Sequence, residues 1–264
     1  MTSKLWVYGD SFANSEFDLG PGREISWPYL LSKHFDEYES HARWGVGNDW
    51  IINQFMQNNP GTKSRSDRDI GIFIFSHPRR MCLPIHEGKY WLQSHTYTDE
   101  DNRNRGELGK ECDRLQIKLK KRNWFKDIQE QVMYDPWRWR YMIDLQLHVL
   151  NTYSEYFDML IVHSGFVDSA FAVTKSDVWN HKRSEGFVFL DLMTPMEHPQ
   201  AQGLPTELQH APCHMTKELN HQYYKIMLAA CTTFNVKRHL VNGWKHWSDI
   251  ERNIIKDGEQ RWER

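Results

Sequence analysis

Residues Ile70 to Phe75 read Ile-Gly-Ile-Phe-Ile-Phe, and this run constrains the fold more than any other stretch of the chain. It is short and nearly all apolar. A strand with one wet face alternates apolar and polar residues, whereas a run without alternation needs cover on both faces. Strand-like and helix-like segments alternate around it. Leu5 to Tyr8 predicts a strand, and Trp27 to His34 a helix with Pro28 early, where a missing amide proton costs little. His41 to Trp44 predicts a short strand ending in Gly45-Val46-Gly47-Asn48. Asp49 to Gln57 follows as a helix offering Trp50, Ile51 and Phe55 to one face.

The same rhythm returns near the other end. Asp135-Pro136 makes a good helix start, with Asp as cap and Pro in the first turn. That helix is expected to run to about Tyr156, with Met142, Leu145, Val149 and Tyr153 recurring at three- and four-residue steps. Met159 to His163 and Phe187 to Leu190 predict strands, and His214 to Phe234 predicts a closing helix. The expectation is an α/β three-layer sandwich around a mostly parallel sheet, in one domain spanning residues 1–264. Residues 77 to about 134 break the rhythm, with a charged run from Asp99 to Arg105. They predict a long insertion after the third strand, either a lid or oligomer contact or a solvated excursion. The tail from about Trp244 is polar, with Trp247, Ile250, Ile254 and Ile255 spaced for an amphipathic helix.

Composition excludes several classes. Lys plus Arg total 33 and Asp plus Glu 35, so the formal charge is −2 and nothing calls for nucleic acid as a partner. The 4 cysteines are widely spaced, without a Cys-x-x-Cys pair, which argues against a zinc ribbon. His210 and His214 sit four apart, but Pro212 between them argues against a shared helix face, and no metal is expected. No run is apolar enough for a signal or a membrane span. The expectation is a soluble protein, cytoplasmic by default, with a virion or host-cell location left open. The 12 Trp, 11 Tyr and 13 Phe fit an aromatic core or a groove for a flat ligand such as a sugar.

The chemistry points to a Ser/His pair. Leu5 to Ser11 end in Gly9-Asp10-Ser11, which leaves a serine hydroxyl at the carboxyl end of the sheet, where open α/β sheets place their sites. A serine is a poor nucleophile without a base in hydrogen-bond reach. The same tripeptide also suits an ordinary turn, with Asp10 or Ser11 capping the next helix. His214 precedes a helix start in Cys213-His214-Met215-Thr216 and titrates near ~6.5 when unperturbed, so it can exchange a proton at neutral pH. His210 is its main rival. Gly45 and Asn48 suit an oxyanion hole, the glycine by letting its amide approach and the asparagine by its side-chain amide. Asp168 follows a strand and suits either a cleft border or a structural cap.

These blocks together resemble the SGNH hydrolases, also called GDSL esterases/lipases. Gly9-Asp10-Ser11 resembles the first block and Trp27-Pro28-Tyr29-Leu30-Leu31 the helix after it. Gly45, in Arg43-Trp44-Gly45-Val46-Gly47-Asn48, resembles the glycine block, and His214 followed by His221 resembles the last. The resemblance spans most of the chain outside the insertion. It implies a flavodoxin-like sheet, Ser11 as nucleophile, His214 as general base and the Gly45 amide in the oxyanion hole. Two positions depart from the family pattern. The third block normally supplies an asparagine, but here the strand ends Ser76-His77-Pro78-Arg79, leaving Asn48, Ser76 or Arg79 as substitutes, or else a poorer oxyanion hole. The last block normally has Asp three residues before the histidine, and Ala211 stands there; either a backbone carbonyl or an unassigned distant acid such as Asp191 orients the imidazole, or catalysis is impaired.

The expected function is a serine esterase acting on a small-molecule or carbohydrate ester, including O-acetyl sugars, without a cofactor. The alternative is a weak or inactive SGNH scaffold serving as a binding or structural component of a larger assembly such as a virion. The sequence leaves the oligomeric state open.

Overall fold

The computed structural model describes residues 3–14, 26–43, 45–61, 69–76, 80, 82–85, 90–93, 106–122, 136–164, 187–190 and 217–232. In chain order the elements are β1 (Lys4–Gly9), α1 (Trp27–Ser32), β2 (Glu37–Ala42), α2 (Asn48–Gln57) and β3 (Ile70–Phe75). Then come β4 (Cys82–Ile85), β5 (Tyr90–Gln93), α3 (Gly106–Lys121) and α4 (Pro136–Tyr153). A 3-10 turn at Ser154–Tyr156, β6 (Met159–Ser164), β7 (Phe187–Leu190) and α5 (Lys217–Thr232) complete the series.

Five strands form one sheet in the order β2-β1-β3-β6-β7, and every neighbouring pair is parallel. Counting only the strands of this sheet, the order is 2-1-3-4-5, the flavodoxin-like arrangement. The direction of winding reverses between β1 and β3. In such sheets the crevice at the carboxyl ends of the two strands flanking that reversal is where ligands bind.

The fold is α/β in three layers because side chains alternate along each strand. Leu5, Val7, Ile72, Ile74 and Ile161 point to one face, where Trp27 and Leu31 of α1 and Tyr223, Ile226, Met227 and Ala230 of α5 cover them. Trp6, Tyr8, Phe73, Phe75, Leu160 and Val162 point to the other, under Trp50, Ile51 and Phe55 of α2 and Ile143, Leu147 and Leu150 of α4. All six residues of β3 are buried, as the unbroken apolar run demands. Many of the aromatics are core. The Phe55 ring meets Tyr8 and Phe73 edge-on at 5.0 and 5.8 Å and stacks on Phe157 at 5.9 Å.

Three expectations are corrected. The second strand is Glu37–Ala42, ending before Arg43, where the sequence predicts His41 to Trp44; it is a half-exposed edge strand without an apolar run to mark it. On α4, Met142 and Leu145 lie 37% and 44% exposed, and the neighbouring stripe of Ile143, Leu147 and Leu150 is buried instead. Both stripes are apolar, and the buried side also carries Gln146 and Asn151, so polarity alone does not select the inward face. The start of the insertion is not a solvated excursion. It opens with an antiparallel hairpin, β4 on β5, and Cys82 lies 1% exposed beneath α2. A proline inside a four-residue strand, Pro84 opposite Trp91, hid that hairpin from the sequence. Among the described residues no helix is long and apolar enough to cross a membrane. The tail from residue 244 lies outside the described residues.

Candidate functional site

The site is built where β1 stops. A Cβ on Gly9 would stand 2.6 Å from the Ala13 Cβ and 3.0 Å from the Ile74 Cβ, so only glycine lets the chain fold back here. The turn closes with the Ala13 amide donating to the Asp10 carbonyl at 3.0 Å and the Asn14 amide to the Ser11 carbonyl at 3.4 Å. The Asp10 side chain braces it from within: Oδ1 accepts the Phe12 amide at 3.0 Å. Ser11 stands in the middle of this turn, 2% exposed. Its hydroxyl has no hydrogen-bond partner among the described residues.

Asp10 joins the two strands that flank the reversal. Its Oδ2 accepts from Ser76 Oγ at 2.8 Å and from Arg80 Nη1 at 2.7 Å. Ser76 follows β3 directly, and its hydroxyl also lies 2.8 Å from the Val46 carbonyl, so its one proton is shared between two acceptors. Asp10 is fully buried, and the Arg80 side chain is 13% exposed. Burial raises the Asp10 carboxyl above its ordinary value, while the Arg80 guanidinium, the Ser76 hydroxyl and the Phe12 amide pull it back.

The β2–α2 loop forms the next wall. The Arg43 amide donates to the Gly9 carbonyl at 3.1 Å and carries the β1–β2 ladder up to the loop. Gly45 has φ 74°, a left-handed conformation that favours glycine. Gly47 is needed for a different reason: a Cβ there would overlap the Arg80 carbonyl oxygen and lie 2.8 Å from its carbon. The Gly47 amide points at Cys82 Sγ, 3.1 Å away. Asn48 opens α2, and its side chain binds the backbone of Ser76 through both amide atoms, Oδ1 at 2.6 Å and Nδ2 at 3.2 Å. Asp49 accepts the Trp50 amide at Oδ1 and the Cys82 amide at Oδ2, at 3.1 and 2.8 Å. Burial pushes its carboxyl up to about 7.

Ser11, Gly45 and Asn48 therefore belong to one connected edge, linked through Asp10, Ser76 and Val46. Of the residues that the resemblance offered in place of an asparagine, Ser76 holds Asp10 and Val46, and Asn48 has one Nδ2 proton on the Ser76 carbonyl. Arg79 lies outside the described residues, as do His210, Ala211, His214, Asp168 and Asp191. The helix that follows His214 is described, and it approaches this edge. Asn220, in the first turn of α5, is fully buried and accepts the Trp27 amide at 3.1 Å. The Trp27 indole donates to the Phe12 carbonyl at 2.6 Å. Two hydrogen bonds thus tie the start of α5 to the residue next to Ser11. Arg80 is the residue that sequence reasoning missed. A cation two residues before a buried cysteine, just past a fully apolar strand, was its signal. Among the described residues no cluster of three or more His, Cys, Asp or Glu could hold a metal ion.

Compared with protein-family models, with curated proteins and with solved structures, the chain matches none.

Proposed function

We propose that this chain is a serine esterase of the SGNH type. Ser11 Oγ attacks the ester carbonyl and forms an acyl-enzyme while His214 takes its proton. His214 returns that proton to the departing alkoxide. The amides of Ser11 and Gly45 receive the oxyanion, with the second Nδ2 proton of Asn48 as the third donor. Water, deprotonated by His214, then attacks the acyl carbon, and Ser11 leaves with the proton restored. No cofactor takes part. The substrate is read as a small-molecule or carbohydrate ester, O-acetyl groups included.

One observation carries the reading: Ser11 sits in a braced turn at the carboxyl edge, on the strand that flanks the winding reversal, with its hydroxyl uncommitted among the described residues. The approach of α5 supports it. His214 precedes Lys217 by three residues, a reach of roughly 11 Å at most, and the Asn220–Trp27–Phe12 chain brings that helix start beside the Ser11 turn.

The test is labelling by a fluorophosphonate probe. The wild-type protein is expected to label, and Ser11→Ala and His214→Ala to lose labelling while remaining folded. Labelling that survives in Ser11→Ala removes the serine from the mechanism.

A second reading, a binding or structural protein on a hydrolase scaffold, is favoured by one feature. The Asn48 amide and the Ser76 hydroxyl, two candidate third-block donors, are both engaged in holding backbone and Asp10. A folded wild-type protein that never labels selects this reading.

A further inference from the structure

The carboxyl of Asp10 meets donors on both oxygens. Oδ1 accepts the Phe12 amide, and Oδ2 accepts from Ser76 Oγ and Arg80 Nη1. A carboxylate accepts from all of these with the added strength of its charge, whereas a protonated acid reverses the Ser76 bond, sending the Ser76 proton to the Val46 carbonyl, and weakens the bonds from Phe12 and Arg80. The Phe12 bond is the one that braces the turn carrying Ser11. We infer that Arg80 is a positioning residue for Ser11: it holds Asp10 as a carboxylate, and that carboxylate holds the turn on which the serine stands. The inference rests on the reading of Ser11 as the nucleophile.

The surroundings make such a partner necessary. Asp10 is fully buried, and an isolated carboxylate there would take up a proton rather than stay charged. The groups facing it come from four elements. Its own turn supplies the Phe12 amide, the exit of β3 the Ser76 hydroxyl, and the entry to β4 the Arg80 guanidinium. From α5 comes Tyr223, whose own ionisation is pushed well up by burial and by the charge of Asp10. Behind Tyr223 lies His163 of β6, ring to ring at 5.7 Å. Arg80 also acts on the buried Cys82 thiol, together with Arg43 and Asp49. Its guanidinium contacts the carboxylate directly and cancels the charge. Its backbone is fixed independently, because its carbonyl packs against Gly47.

The test compares wild type with Arg80→Lys, Arg80→Gln and Arg80→Ala, each checked for folding by circular dichroism. Two readouts are followed against pH: the rate of fluorophosphonate labelling and the carboxyl carbon-13 resonance of Asp10. In Arg80→Gln and Arg80→Ala the Asp10 titration is expected to move up by about one to three pH units, the effect of removing an adjacent opposite charge. The acid limb of labelling then steepens and moves up with it, and Arg80→Lys restores both. If Arg80→Ala does not fold, the Lys and Gln variants carry the same comparison. Slower labelling with an unchanged pH profile, or an Asp10 titration indifferent to Arg80, overturns the inference. Wild-type protein that does not label at any pH sinks the esterase reading itself, and the positioning role with it; the carbon-13 titration then reads the Arg80–Asp10 charge coupling separately.

Discussion

The side chain of Asn48 serves Ser76 as a strand partner would. It accepts the Ser76 amide at Oδ1 and donates to the Ser76 carbonyl from Nδ2, at 2.6 and 3.2 Å. The start of α2 is thereby fastened to the end of β3, as though the ladder ran one residue further. Removing this amide leaves two buried backbone groups without partners, each costing about 1–3 kcal/mol. Asn48→Ala is expected to lose about 2–4 kcal/mol in urea unfolding. A loss under about 1 kcal/mol would mean that water or a neighbour replaces the amide.

Gly47 tests how tightly the hairpin entry lies on the glycine loop. A methyl group there meets the backbone of Arg80 and, at 2.7 Å, the Asp49 carboxylate. Backbone cannot move aside as a flexible side chain can, so Gly47→Ala is expected to destabilise by about 1–3 kcal/mol or more. Gly61 is the control. Its φ of 62° is left-handed, whereas Gly47 has an ordinary φ of −96°, and nothing lies within 4 Å of an added Cβ. Gly61→Ala is expected to cost only the left-handed strain, about 1 kcal/mol. Thermal unfolding of the two variants gives the comparison.

Asp49 should write itself into the pH dependence of stability. Burial raises its folded carboxyl to about 7, while the unfolded chain titrates near ~3.9. Between those values the folded protein keeps a proton that the unfolded chain has lost. Stability from this group is therefore full below pH ~4 and falls as pH rises to about 7, by at most ~1.4 kcal/mol per pH unit. Asp49→Asn removes the titration and should flatten the slope across that window. Its single oxygen also gives up one of the two amides from Trp50 and Cys82, so the variant sits lower at acid pH. Denaturation midpoints at several pH values distinguish it from wild type; parallel curves would exclude Asp49 as the source.

What the sequence revealed follows how local each signal was. The boundaries of β3 and β7 coincide with their apolar runs, and α2 turns inward the three residues its spacing offered, Trp50, Ile51 and Phe55. A continuous apolar stretch between turn residues needs no tertiary information to be recognised. The Ser11 turn was legible for the same reason: Gly9, Asp10 and Ser11 are contiguous. The partners of that turn were not. Ser76 and Arg80 stand 66 and 70 residues from Asp10 in sequence, and only strand order brings them to it. Asn48 was legible as a polar residue at a loop end, but its engagement with Ser76 depends on β1 lying between β2 and β3.

On α4 the sequence offered two apolar stripes and no means of choosing between them, which gives a direct comparison. Leu147 is fully buried against the sheet, and Leu145, two positions earlier on the same helix, is 44% exposed. Truncating a buried leucine loses both its transfer energy and the packing around the hole, about 2–5 kcal/mol. An exposed leucine far from such contacts costs within about 0.5 kcal/mol. Leu147→Ala should therefore lower the unfolding midpoint well below that of Leu145→Ala. The helix type, the residue type and the size of the deletion are the same in both variants, so the difference reports burial alone. Equal losses would mean that α4 presents Leu145 and Leu147 alike to packed surroundings, and the orientation of this helix over Phe73, Leu160 and Val162 would have to be redrawn.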